Sequence, residues 1–210
     1  MTDPHMNEAV VLLHGLWLRS AAMGFLARRL AAAGYDAHVF DYASVHDGLD
    51  VAGASLRETI RGIRADRVHL VGHSLGGLIA ATIVQRDPGL IDGRIVCLGS
   101  PLRGSAASRS LKAMPGGRTL LGRSLEFLER GLERWDGPQQ VGAIAGRLPI
   151  GFGMLLGGLR GQHDGTVAVE GTRLPGLADH RVIAAAHTAL PFCEEGARQT
   201  IAFLGNGQFA

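Results

Sequence analysis

The sequence predicts an α/β fold, a parallel sheet of about six strands with helices on both faces. Three observations lead there. Short apolar runs alternate with longer segments of helical periodicity, and parallel strands joined by helical crossovers are the economical solution to that order. One such run, within Arg67–Gln85, passes through a glycine-flanked turn straight into a small-residue helix. Finally, 210 residues with 46% hydrophobic content suffice for one well-filled core and fall short of two, so 1–210 is expected as a single domain.

Ala9–Leu13 is an uninterrupted apolar run, as an inner strand covered on both faces requires, and His14-Gly15 ends it. Ser20 is expected to N-cap a helix that runs to about Leu30 and stops at Gly34. Ala37–Phe40 reads as the second strand. From Leu49 to Ile63 the apolar residues Leu49, Ala52, Leu56, Ile60 and Ile63 recur at helical spacing, which predicts a helix with one buried face. Val68–Val71 is the third strand; the helix after it is stopped by Asp87-Pro88-Gly89, and Arg94–Leu98 is the fourth strand. The texture then changes. Between Gly99 and Arg134, helical pieces are expected at Ser108–Ala113 and Thr119–Arg134, broken by Pro115-Gly116-Gly117. Val141–Ala145 reads as the fifth strand, Arg181–Ile183 as the last, and Phe192–Leu204 as a closing helix.

The turn inside Arg67–Gln85 reads Gly72-His73-Ser74-Leu75-Gly76-Gly77. Gly-x-Ser-x-Gly is short enough to arise by chance; the strand before it and the helix after it give it weight. A serine at the apex of such a turn is held in a strained conformation, its hydroxyl clear of the sheet and a helix N-terminus behind it. Ser74 is therefore the candidate nucleophile. With His14-Gly15, Gly72–Gly77, Asp164-Gly165 and the late His187 in that order, the chain resembles the α/β-hydrolase superfamily, most of all its small lipases and esterases. The resemblance implies a minimal α/β-hydrolase fold, a small-molecule acyl ester as substrate, and a helical cap formed by the insertion 99–134. A solvated helical crossover is the plain alternative for that insertion. The apolar, glycine-rich stretch 150–159 suits a mobile wall of an acyl pocket and a packed loop equally.

A serine hydroxyl is too weak an acid to attack an ester unaided. It needs a neutral imidazole to take its proton and a carboxylate to fix that imidazole's tautomer. In an open parallel sheet these groups come from loops at the C-terminal strand ends, in the chain order Ser, acid, His. His187 leaves the C-terminal end of the last strand, whereas His180 precedes that strand. His163 is a loop residue, His5 lies in the tail, His73 fills the variable position of the elbow, and His14 shapes the loop after the first strand. Asp87, Asp92, Asp136 and Asp179 all precede strands and so start at the wrong edge, and Glu126, Glu129 and Glu133 lie on a surface helix. Asp164 follows the fifth strand and matches the acid position that the resemblance implies; Glu170 is its nearest rival. The oxyanion needs preorganised N–H donors. One is the amide of Leu75, after the nucleophile. The likeness of His14-Gly15-Leu16 to the family's HG-x element makes Leu16 the other, with Trp17 beside it; alternatively Trp17 and Leu18 only pack on the first helix.

A net charge of +2, with Lys112 the single lysine and no arginine–aromatic pattern, argues against nucleic acid as a partner. Seven basic residues (Arg103, Arg109, Lys112, Arg118, Arg123, Arg130, Arg134) against Glu126, Glu129 and Glu133 suggest a transient contact with an anionic lipid interface. Cys97 and Cys193 lack metal-ligand spacing and read as buried free thiols; no cofactor or metal is expected. The first residues lack a basic segment followed by a long apolar one, so a cytoplasmic enzyme is the expectation. Two rivals to ester hydrolysis use the same residues differently. An acyltransferase would pass the acyl group to an alcohol or amine, and a non-catalytic binding protein would keep only the fold.

Overall fold

The computed structural model describes residues 6–151 and 159–210. The strands are β1 (Glu8–Leu13), β2 (Asp36–Phe40), β3 (Arg67–His73), β4 (Ile95–Leu98), β5 (Val141–Gly146) and β6 (Asp179–Ile183). The helices, in chain order, are α1 (Gly24–Ala32), α2 (Leu49–Gly62), α3 (Leu75–Arg86), α4 (Ala106–Lys112), α5 (Gly117–Leu121), α6 (Leu125–Arg130), α7 (Val169–Thr172) and α8 (Glu194–Asn206). The six strands form one sheet in the order β2-β1-β3-β4-β5-β6, every neighbouring pair parallel.

The central strands are almost wholly buried because both faces are covered, and most of their residues are apolar. In β1, Ala9, Val11 and Leu13 join the cluster that holds Leu56 of α2 and Leu78 of α3, while Val10 and Leu12 join the cluster with Leu30 of α1 and Phe203 of α8. The edge strands differ. β2 and β6 are half exposed, and so they tolerate Asp36, His38, Asp179 and His180.

The chain steps from β1 outward to β2, then returns to place β3 on the other side of β1. The order therefore reverses between β1 and β3, and a crevice opens beyond their C-terminal ends. Residues 14–18 leave β1 there and residue 74 leaves β3 there.

Several elements depart from expectation. Ser20 does not cap α1: it opens a 3₁₀ turn (Ser20–Met23), makes no capping bond through its side chain, and its backbone N–H goes to Asp41 Oδ1 at 3.1 Å. The second helical piece between residues 99 and 134 is not one helix: α5 and α6 are parted at Gly122 (φ 56°), and α6 stops at Arg130, because Gly131 turns to φ 60° and lies against Gly104. The last strand starts at Asp179, and Phe192 closes a 3₁₀ turn ahead of α8. The stretch 99–134 is not simply a solvated crossover either. Leu111, Leu121, Leu125 and Leu128 are buried in the same cluster as α3, while Met114 and Leu120 are half exposed. Of the stretch 150–159, residues 152–158 lie outside the described residues, as does His5.

Candidate active site

β3 runs into α3 through Ser74, which takes φ 53° and ψ −119° and donates its N–H to the carbonyl of Leu98 at 2.8 Å. The turn is this tight only because its flanks carry no side chains: a Cβ on Gly72 would lie 2.2 Å from Gly77 N, and one on Gly76 would lie 2.5 Å from the His14 carbonyl. Sequence dictates strain here, and strain presents the hydroxyl at the crevice.

Asp164 lies beside the C-terminal end of β5, where a Cβ on Gly146 would come 2.7 Å from its own Cβ, and it is 1% exposed. Its Oδ1 accepts the N–H groups of Thr166 (2.9 Å) and Val167 (2.7 Å), which fix the carboxylate plane. Its Oδ2 lies 2.8 Å from Nδ1 of His187, which opens a 3₁₀ turn (His187–Phe192) after β6. The main chain of the two residues is joined as well, the His187 N–H donating to the Asp164 carbonyl at 2.8 Å. On the far side of the ring, His187 Nε2 lies 3.0 Å from Ser74 Oγ. Three residues that are far apart in sequence thus form one hydrogen-bonded line.

Leu75 begins α3 and is fully buried, and its amide is among the N-terminal N–H groups that a helix cannot satisfy internally. Leu16 borders a cavity of about 200 Å³ above Ser74, together with Leu18, Leu111, Leu121, Leu128 and Val167. Trp17 shares with Ser74 a positive φ, here 60°, unusual for a residue with a side chain. It does not merely pack on α1. Its N–H donates to Ser44 Oγ at 3.2 Å and its indole N–H to the Leu120 carbonyl of α5 at 2.9 Å.

The rejected residues are held elsewhere. Glu170 pairs with Arg103 at 3.1 Å on the surface, Asp87 pairs with Arg57 at 3.1 Å, and Asp92 accepts the Val68 N–H at the start of β3 at 3.1 Å. His180 lies inside β6 rather than before it, its Nε2 2.8 Å from Thr172 Oγ1. His163 accepts the Gly165 N–H at 3.2 Å, and His14 stacks on Tyr42 with ring centres 4.4 Å apart. Cys97 is buried, and burial pushes its thiol up to about 12; Cys193 is only half buried and its Sγ accepts the Gly196 N–H at the start of α8. Among the described residues, no three of His, Cys, Asp and Glu are grouped to hold a metal, and no helix is long and apolar enough to cross a membrane.

Sequence reasoning passed over His73. It is 1% exposed, its Nε2–H donates to the His187 carbonyl at 3.0 Å, and the two rings lie 4.8 Å apart. Burial pushes its pKa down to about 3, so the ring is neutral. Nothing in the local pattern signals a contact made 114 residues away.

A parallel sheet with a strained serine at the β3–α3 turn is the architecture of an α/β hydrolase, and the chain belongs to the alpha/beta hydrolase family, whose model matches residues 10–175. A pimeloyl-[acyl-carrier protein] methyl ester esterase of Aeromonas salmonicida is 32% identical over 97 residues, which are 44% of this chain and 38% of that protein. Among solved structures, the mature lipase BlEst2 of Bacillus licheniformis matches with a TM-score of 0.77 and 22% identity over 98% of this chain and 93% of its own. The metagenomic carboxyl esterase MGS0156 matches with a TM-score of 0.69 and 18% identity over 90% of this chain and 66% of its own. These structural likenesses are likenesses of fold.

Proposed function

We propose that the chain is a carboxylic-ester hydrolase that works through an acyl-enzyme. The observation that carries this reading is the line from Asp164 Oδ2 through His187 to Ser74 Oγ, with steps of 2.8 and 3.0 Å, at the floor of an apolar cavity. Ser74 Oγ attacks the ester carbonyl while His187 Nε2 takes its proton, and Asp164 holds the tautomer and stabilises the imidazolium. The carbonyl oxygen becomes negative and is met by the amides of Leu75 and Leu16, each worth roughly 3 kcal/mol. His187 then protonates the departing alcohol. A water, deprotonated by the same ring, releases the acid and restores Ser74.

The cavity favours a neutral, apolar acyl group, because Leu111, Leu121 and Leu128 offer no partner to a charge. In this reading α4–α6 act as the cap. The partial likeness to a methyl ester esterase supports an ester rather than another acyl bond.

The test is covalent labelling. A fluorophosphonate probe modifies Ser74, Ser74→Ala abolishes both labelling and p-nitrophenyl ester turnover, and Asp164→Asn lowers kcat about 10³- to 10⁴-fold. A folded, unlabelled protein without turnover overturns the reading in favour of a binding protein.

A further inference from the structure

We propose that His73 is a positioning residue that locks the main chain of His187 to the nucleophile elbow; this rests on the ester-hydrolase reading. Every polar group of His187 has a partner. Its N–H is bound to the Asp164 carbonyl, its Nδ1 to Asp164 Oδ2, its Nε2 to Ser74 Oγ and its carbonyl to His73 Nε2. Asp164 thus holds the residue from one side at both main chain and ring. The elbow holds it from the other side in the same way, through two consecutive residues, 73 at the main chain and 74 at the ring.

The geometry explains why the second grip matters. His187 begins a 3₁₀ turn, where its carbonyl is not part of the sheet ladder. Without His73 the main chain at 187 is tied only to Asp164 and to its own 3₁₀ turn, with nothing to fix it against the elbow, and a small tilt there is enlarged at Nε2, at the far end of the side chain. Ser74 Oγ is a poor anchor for that atom, because the hydroxyl must leave it during the reaction. The bond from His73 persists through every step. It fixes the separation of nucleophile and base from a rigid strand, since His73 is the last residue of β3.

The protonation state fits the task. A carbonyl only accepts, so His73 carries its proton on Nε2. Its Nδ1 is buried without a partner, and the backbone of Gly15 lies so close that a Cβ there would be 3.0 Å from it. A proton on Nδ1 would find no acceptor. It would also put a second positive charge 4.8 Å from the imidazolium that His187 becomes, a repulsion the neutral ring avoids.

The experiment compares His73→Leu, which removes the donor, with His73→Gln, whose amide nitrogen falls near the place of Nε2. For p-nitrophenyl butyrate, the Leu variant is expected to lose about 10- to 100-fold in kcat with KM within about threefold, as a misplaced base does. The Gln variant is expected to recover most of the loss. If the Leu variant does not fold, His73→Asn takes its place, since its shorter amide cannot reach the His187 carbonyl and must fail where Gln succeeds. Wild-type kcat in Leu or Asn, or a folded Gln variant no better than either, overturns the proposal. A wild-type protein that neither turns over the ester nor takes the fluorophosphonate overturns the ester-hydrolase reading instead.

Discussion

The indole N–H of Trp17 donates to the carbonyl of Leu120 at 2.9 Å, tying the loop that carries Leu16 to α5 across 103 residues of sequence. Two further bonds tie the loop after β2 to the turn that follows α5. Ser124 Oγ donates to the Ser44 carbonyl at 2.6 Å, and the Arg123 N–H donates to the Val45 carbonyl at 3.0 Å.

Trp17→Phe keeps most of the ring and deletes the bond to α5, a net loss of about 0.5–1.5 kcal/mol. Global stability is expected to change little, while trypsin cuts severalfold faster after Arg118 or Arg123, which flank Leu120. Mass spectrometry of timed digests reads this out. Unchanged cleavage would mean that the indole does not hold α5 in place.

Gly99→Ala tests the packing beneath His187. Gly99 has φ 57°, and a Cβ there would lie 2.6 Å from Leu190 Cδ1, 3.1 Å from His187 Nδ1 and 3.2 Å from Asp164 Oδ2. The methyl group must push the imidazole–carboxylate pair or Leu190 aside. We expect a loss of about 1–3 kcal/mol in urea unfolding and at least about a tenfold drop in kcat. A variant with wild-type kcat would show that the pair tolerates displacement.

Acid acts on the fold through three of its histidines. Burial pushes His69 and His180 down to about 4 and His73 to about 3, from an ordinary value near 6.5 in the unfolded chain. Below pH of about 6.5 the unfolded chain takes up protons that the folded one refuses. Their contribution to stability is complete above that pH and is lost as pH falls toward 4. Thermal unfolding midpoints should be level from pH 7 to 8 and fall progressively between about 6.5 and 4. A level midpoint down to pH 5 would show that these rings accept protons without unfolding.

What could be read in the chain follows a physical divide. The strained placement of Ser74 was legible because its setting is local: strand, turn and helix are contiguous, and the glycines mark the close approach. Asp164 and His187 were legible through topology, since each must leave the C-terminal end of a parallel strand. The helix end at Arg130 was not, because Leu128, Leu132 and their charged neighbours keep helical spacing across Gly131, and only its contact with Gly104 breaks the run. The start of β6 was missed for a different reason. Asp179 and His180 look like loop residues, yet they pair with Gly142 and Ala143 because an edge strand admits polar side chains. His73 and Trp17 act across more than a hundred residues, and no local pattern encodes that.

Leu111, Leu121 and Leu128 face the cavity and at the same time belong to the cluster that seats α2 and α3 on the sheet. On the proposed ester-hydrolase reading, specificity and solidity share the same side chains. Transplanting the whole 105–130 module from a relative would strip the scaffold's own filling along with the old preference, so chimeras of that kind should express poorly. Retargeting has an easier route at Leu18 or Thr166, which line the cavity without belonging to that cluster.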